Sequence, residues 1–154
     1  AELSTVPPPS QWTKYIPWAI VGVILLGFVL GFSRSSELGI TLIAQWVLIN
    51  GGLAAVGAMC ARAHPLTVLS SFLSAPLTSL NPAISVGMVA AAVELYFVKP
   101  DVGDFLKLRE DTRTWRGWWR NRVSRTLLLF LFSNLGATIG TLIGAFHIFD
   151  LLSR

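Results

Sequence analysis

One carboxylate, Glu94, falls inside a run that is otherwise free of charge, VGMVAAAVELYFV. A carboxylate in such a setting can relay a proton, bind a cation or pair with a base from another segment. Counted at 1.5 Å per residue, it stands about 6 Å short of Val98, so the spacing favours pairing near the interface, with Lys99 or another basic residue, over ion or proton transfer. Four amides share its apolar surroundings: Gln45, Asn50, Asn81 and Asn134. Uncharged amides between apolar segments usually bond a neighbouring helix, for about 0.6–2 kcal/mol; aligned with Glu94 they would instead line a polar path. His64 precedes Pro65 and His147 lies near the end of the last apolar run, neither within a metal-ligand spacing, so capping or interfacial roles are expected and no metal. The single Cys60 has no partner for a disulfide and reads as small apolar filler. A Gly-rich phosphate loop, a nucleophile elbow and a carboxylate pair are all missing, so this chain is expected to be no enzyme and to need no cofactor.

The second concentration of reactive side chains is polar. Residues Lys99 to Arg125 hold eight of the twelve basic residues and three of the six tryptophans. Arg113, Trp115, Arg116, Trp118, Trp119 and Arg120 recur there at spacings of three and four, which predicts an interfacial amphipathic helix within 101–125. Its indoles would enter the headgroup region and its guanidinium groups would meet lipid phosphate. A nucleic-acid partner is not expected, because apolar segments flank the loop on both sides.

The elements that must position these groups follow from composition. Over 154 residues the chain is 53% hydrophobic and 13% charged, with mean hydropathy +0.64, outside the balance of a water-soluble domain. The expected fold is an all-α, polytopic transmembrane bundle occupying 14–154 as one domain, after an extended Pro-rich linker over 1–13. Four spans are predicted: Trp12–Phe32, Gly39–Ala61, Pro82–Val98 with Asn81 as its N-cap, and Thr126–Phe149. Between the second and third, residues 65–80 are broken by Pro76 and short for a crossing, which predicts a re-entrant or half-membrane helix. With four spans both chain ends lie on one side, opposite the basic loop and Arg34, and basic loops facing the cytoplasm would put both ends outside. Were residues 65–80 to cross fully, the same rule would put the N-terminus inside; the shortness of that segment favours the first arrangement. Gly136, Gly140 and Gly144, together with Gly27 and Gly31, repeat every four residues and predict close helix packing, within the chain or across a symmetric oligomer.

Several strings in fixed order, AHPLTVLSSFLSAPLTSLNPAISVGMVAAAVE, KPDVGDF, WWRNRVSRTLL and SNLGATIGTLIG, resemble the membrane-embedded C-terminal half of TraB/PrgY-family proteins over about residues 45–145. The resemblance implies a multi-pass protein of a prokaryotic plasma membrane, related to pheromone-shutdown factors in which a separate N-terminal domain inactivates or sequesters a peptide signal. The resemblance also implies a link to a wider superfamily of metal-dependent peptidases with Gly-x-x-Glu and Gly-x-x-His motifs in that domain. Gly-x-x-Glu is lacking here, and Gly144-Ala145-Phe146-His147 falls in an apolar helix without partners, so no catalytic residue carries over. The expected function is a membrane anchor and helix-interaction domain with lipid around it, in a homo-oligomer or larger membrane complex. A small transporter or channel component, and an accessory subunit that stabilises such a complex, are the alternatives.

Overall fold

The computed structural model describes residues 11–81 and 83–153, all helical or in short connections. Seven helices follow one another: α1 (Gln11–Arg34), α2 (Ser36–Cys60), α3 (Pro65–Thr78), α4 (Val86–Phe97), α5 (Val102–Asp111), α6 (Gly117–Arg120) and α7 (Arg122–Ser153). Residues 1–10 of the expected linker lie outside the described residues, and 11–13 already belong to α1.

Three helices, α1, α2 and α7, are long and apolar enough to cross a membrane. Among the described residues the expected count of four is not confirmed. The segment assigned as a third span starts late, at Val86, because the Ser85 side chain and not Asn81 accepts from the helix, at the Met88 N–H. Asn81 instead accepts from the nearby Ala83 N–H, and Pro82 lies outside the described residues. The resulting α4 has 12 residues, about 18 Å of helix against a core of about 30 Å. It is the same half-length as its neighbour α3, of 14 residues. Both open ends of this pair meet, since the Glu94 carboxylate near the end of α4 accepts from His64 N–H at the start of α3. The α3/α4 tip reaches Asn50 in the middle of α2, through Ser79. The pair therefore enters and leaves the bundle at one end.

The orientation of the rest follows. Helix α2 runs antiparallel to α7, with Trp46 against Gly144, Asn50 against Gly140 and Gly57 against Phe132. Helix α1 runs parallel to α7: Gly27 lies beside Ile148, and the Arg34 guanidinium donates to the Leu152 carbonyl at the C-terminal turn of α7. One end of the bundle thus carries the start of α1, Arg62 and the whole Lys99–Arg125 segment, while Arg34 and the end of α7 lie at the other. Arg34, expected on the side of the basic loop, lies instead at the opposite end, beside the last turn of α7.

The packing is inverted relative to a soluble protein. Along α2 the buried stripe is Gly39, Leu42, Trp46, Asn50, Ala54, Gly57, Ala58, and along α7 it is Ser133, Gly136, Ala137, Gly140, Gly144. Large apolar side chains such as Leu131, Leu135, Ile139, Leu142 and Phe146 point outward and are exposed. Hydrocarbon solvates those groups at no cost, so close van der Waals contact between small residues becomes what holds the helices together.

Candidate functional site

The basic segment and the hairpin base form one polar end of the bundle, and the side chains that carry chemistry gather there. Glu94 is buried, 1% exposed. Its Oε2 accepts from His64 N–H at 2.9 Å and from the Thr67 hydroxyl at 2.7 Å, and its Oε1 lies 3.5 Å from an Arg125 guanidinium nitrogen. The cation is thus Arg125 of α7 and not Lys99. His64 uses Nδ1 to accept from Leu66 N–H, capping α3, and its ring stacks on Phe97 with centroids 4.5 Å apart. Pro65 at the first helical position removes one N–H that would otherwise be unpaired. One carboxylate of α4 therefore ties the start and first turn of α3 to the arginine of α7.

The amides do not join it. Asn50, fully buried, donates to Thr141 and accepts from Ser79, and Thr141 donates to Ser79, closing a triangle between α2, α7 and the end of α3. Asn134 accepts from Gly87 N–H at 3.0 Å and so caps α4 from a neighbouring helix. Gln45 is half-buried with its Oε1 unpaired, and Asn81 is exposed at the hairpin tip. Asn50 and Asn134 thus each serve a separate contact between helices. His147 is half-buried near the far end of α7, and among the described residues no three His, Cys, Asp or Glu side chains gather as a metal site would require.

All five glycines singled out above sit against other helices of the same chain. A Cβ on Gly27 would lie 2.8 Å from Ile148, one on Gly31 would strike Leu42, one on Gly136 the Leu53 carbonyl, one on Gly140 would lie 2.8 Å from Asn50 Cα, and one on Gly144 2.9 Å from the Trp46 ring. Gly51 and Gly57 of α2 do the same work and were not singled out, although the small-residue run GGLAAVGAMCA that contains them is the signal. Pro76 cannot donate to the Phe72 carbonyl, and that oxygen lies over Gly51, where a Cβ would come within 2.6 Å.

The arginine and tryptophan segment is not one continuous amphipathic helix. Helix α5 ends at Asp111 and the four-residue α6 covers only Gly117–Arg120, because local hydrogen bonds fold the chain back between them. Trp118 donates its indole N–H to the Thr112 carbonyl, and Arg120 pairs with Asp111 at 2.7 Å. Asn121, 2% exposed, donates to Asp104 O and Asp111 Oδ2 while its Oδ1 accepts from Val123 and Ser124 N–H to cap α7. The Arg120 guanidinium, and then the Asn121 amide, hold the Asp111 carboxyl below the usual range. Trp119 donates to the Cys60 carbonyl at 2.8 Å and packs 5.3 Å from Trp115. Trp115, Trp119 and Arg116, with Cys60 and Arg62 from the end of α2, line a cavity of about 610 Å³. Arg62 was not among the expected headgroup residues. Arg113 stands exposed beside the cavity residues in sequence and is not in its lining. A separate apolar groove of about 750 Å³ runs between α1 and α7, from Pro17 to Phe149, with Ser79 and Thr141 at its polar floor.

An uncharacterized protein of Methanocaldococcus jannaschii is 39% identical over 98 residues, covering 62% of this chain and 24% of its own length. The chain therefore spans about a quarter of that relative. No solved structure matches. The model of the TraB family protein C-terminal domain matches residues 12–153, almost the whole chain, and the protein belongs to the TraB family, whose C-terminal domain it comprises.

Proposed function

We propose that this chain is a membrane anchor and helix-interaction domain, which holds a peptide-signal-inactivating or sequestering domain, or a separately made partner, at a prokaryotic plasma membrane. The observation that carries the reading is where the polar groups are used. Glu94, Asn50 and Asn134 each bond another helix of the same chain, so they serve internal cohesion and are not aligned as a transport path would need. With ten of the twelve Lys and Arg residues at the end that holds the start of α1 and the basic loop, that end faces the cytoplasm. A domain joined before α1 would then lie inside the cell, and any chemistry would belong to that domain. Because this chain covers a quarter of its relative, the activity of a whole TraB protein is read here only through what the anchor positions.

The test is fractionation of a full-length TraB-family protein with and without this region. The soluble part should pellet with membranes after alkaline washing only when joined to it. Recovery of the truncated part in the membrane pellet would overturn the anchor reading. An ion flux in proteoliposomes that is lost in Glu94→Gln, with the fold intact, would establish transport instead.

A further inference from the structure

The cavity between the end of α2 and the α5–α6 turn brings together two arginines and two indoles from segments more than fifty residues apart, Arg62 with Trp115, Arg116 and Trp119. Neither guanidinium has a hydrogen-bonding or carboxylate partner among the described residues, unlike those of Arg120, Arg122, Arg125 and Arg34, which are all engaged. The indoles are preset. Trp119 is fixed by its bond to the Cys60 carbonyl and by Phe132 at 6.4 Å, and Trp115 is laid against it.

Arg62 adds a second observation. It sits at φ 56°, in the left-handed region, where it closes α2: its own N–H bonds Met59 O and the next, Ala63 N–H, bonds Ala58 O. That closing position normally takes glycine, because an L side chain is strained in the left-handed region. A residue with a long cationic side chain occupies it instead and faces the cavity. The last carbonyls of α2, Gly57 to Cys60, accept from Ala61, Ala63, Arg62 and Trp119 N–H groups, so none of them is left unpaired, and the guanidinium of Arg62 offsets the negative end of the helix.

We propose that this cavity is a binding site for the phosphate group of an anionic membrane lipid, clamped between Arg62 and Arg116 with its glycerol backbone against Trp115 and Trp119. The proposal rests on the anchor reading, since it requires this end of the bundle to lie at a headgroup layer. Two free guanidinium groups supply directional, charge-assisted donors, indoles prefer that depth, and about 600 Å³ is the size of a small-ligand site.

The experiment is native mass spectrometry of the full chain, delipidated in a neutral detergent and titrated with phosphatidylglycerol, phosphatidylcholine or inorganic phosphate. One phosphatidylglycerol should be retained per chain in preference to phosphatidylcholine. Arg62→Gln and Arg116→Gln should each weaken retention about fivefold, and together about twentyfold, while Arg113→Gln leaves it unchanged. The Lys variants at 62 and 116, which keep the charge, should hold more lipid than the Gln variants if the latter lose structure. Equal retention of the two lipids, no loss in the double Gln variant, or an equal loss in Arg113→Gln would overturn the proposal. Retention of inorganic phosphate without phosphatidylglycerol would assign the site to a soluble phosphate. Resistance of the double variant to alkaline extraction keeps this outcome separate from the anchor itself, whose failure would release the protein.

Discussion

The seam between α2 and α7 and the α3/α4 hairpin are both buried, yet they are held in different ways. Along the seam, backbone meets backbone: the Leu53 carbonyl lies over Gly136, and the Phe132 carbonyl lies over Gly57. The hairpin depends on side chains that finish helix ends. Its base is held by Glu94 with His64, Thr67 and Arg125, and its upper part by Ser79 with Asn50 and by Asn134 at Gly87 N–H. At the tip the reason is length: a helix that stops halfway leaves its unpaired terminal groups inside, where Ser79 and Asn134 supply the partners that water gives a crossing helix. At the base, the buried Glu94 carboxylate must itself be paired.

If this contrast is correct, the largest single effect belongs to the hairpin base. Glu94→Ala removes one acceptor from three donors and should cost about 3 kcal/mol, toward the lower end for a broken buried pair because Arg125 is partly exposed. Thermal unfolding in detergent measures it, and a loss under about 0.5 kcal/mol would mean that packing alone holds the hairpin. Next comes the seam, where Gly136→Leu should cost about 2–3 kcal/mol by forcing the backbones apart. Gly52→Leu is its control, having nothing within 4 Å of an added Cβ. Equal effects at the two glycines would dissolve the seam as a distinct feature.

The α7 side of the seam was legible in the sequence, because Gly136, Gly140 and Gly144 at spacings of four leave a periodic mark, whereas Gly51 and Gly57 on α2 do not share that spacing. The hairpin was legible only in part. The breaks at Pro65 and Pro76 marked α3 as too short to cross, but Asn81-Pro82 imitates a helix start, so α4 read as a full span beginning too early. Ser85, the cap actually used, is one of many serines nearby and carries no mark of its own. Glu94 was visible as an isolated carboxylate, while its partners His64, Thr67 and Arg125 are 27 to 31 residues away and are brought together only by the return of the hairpin. Arg62 likewise reaches Arg116 only through the tertiary fold.

Smaller effects sharpen the comparison further. Asn50→Val leaves Ser79 and Thr141 to bond each other and should cost about 1 kcal/mol, the scale of an amide bond between membrane helices, read from the same unfolding curves. A loss as large as that of Glu94→Ala would place the hairpin's anchor at its tip instead of its base. Least of all is the Asp111 contact outside the spans. Its carboxyl is held below the ordinary range by Arg120 and Asn121, so its contribution is complete above the unfolded value of about 3.9 and is lost as pH falls through the lower folded value. Trp118, bonded to Thr112 beside it, should report this as a fluorescence change below about pH 4 that Asp111→Asn abolishes. The same change persisting in the variant would assign it to another group.

The central claim is that α3 and α4 turn back, so that only α1, α2 and α7 cross. Its most direct measurement is cysteine accessibility in intact cells, with a membrane-impermeant reagent and single cysteines at Ser36, Arg113 and Ser153 in a Cys60→Ala background. Three crossings place Ser36 and Ser153 on one side and Arg113 on the other, and the basic end should be cytoplasmic. The account predicts labelling of Ser36→Cys and Ser153→Cys with protection of Arg113→Cys; Ser36→Cys and Arg113→Cys protected alike, with Ser153→Cys labelled, would show that α4 crosses and would contradict it.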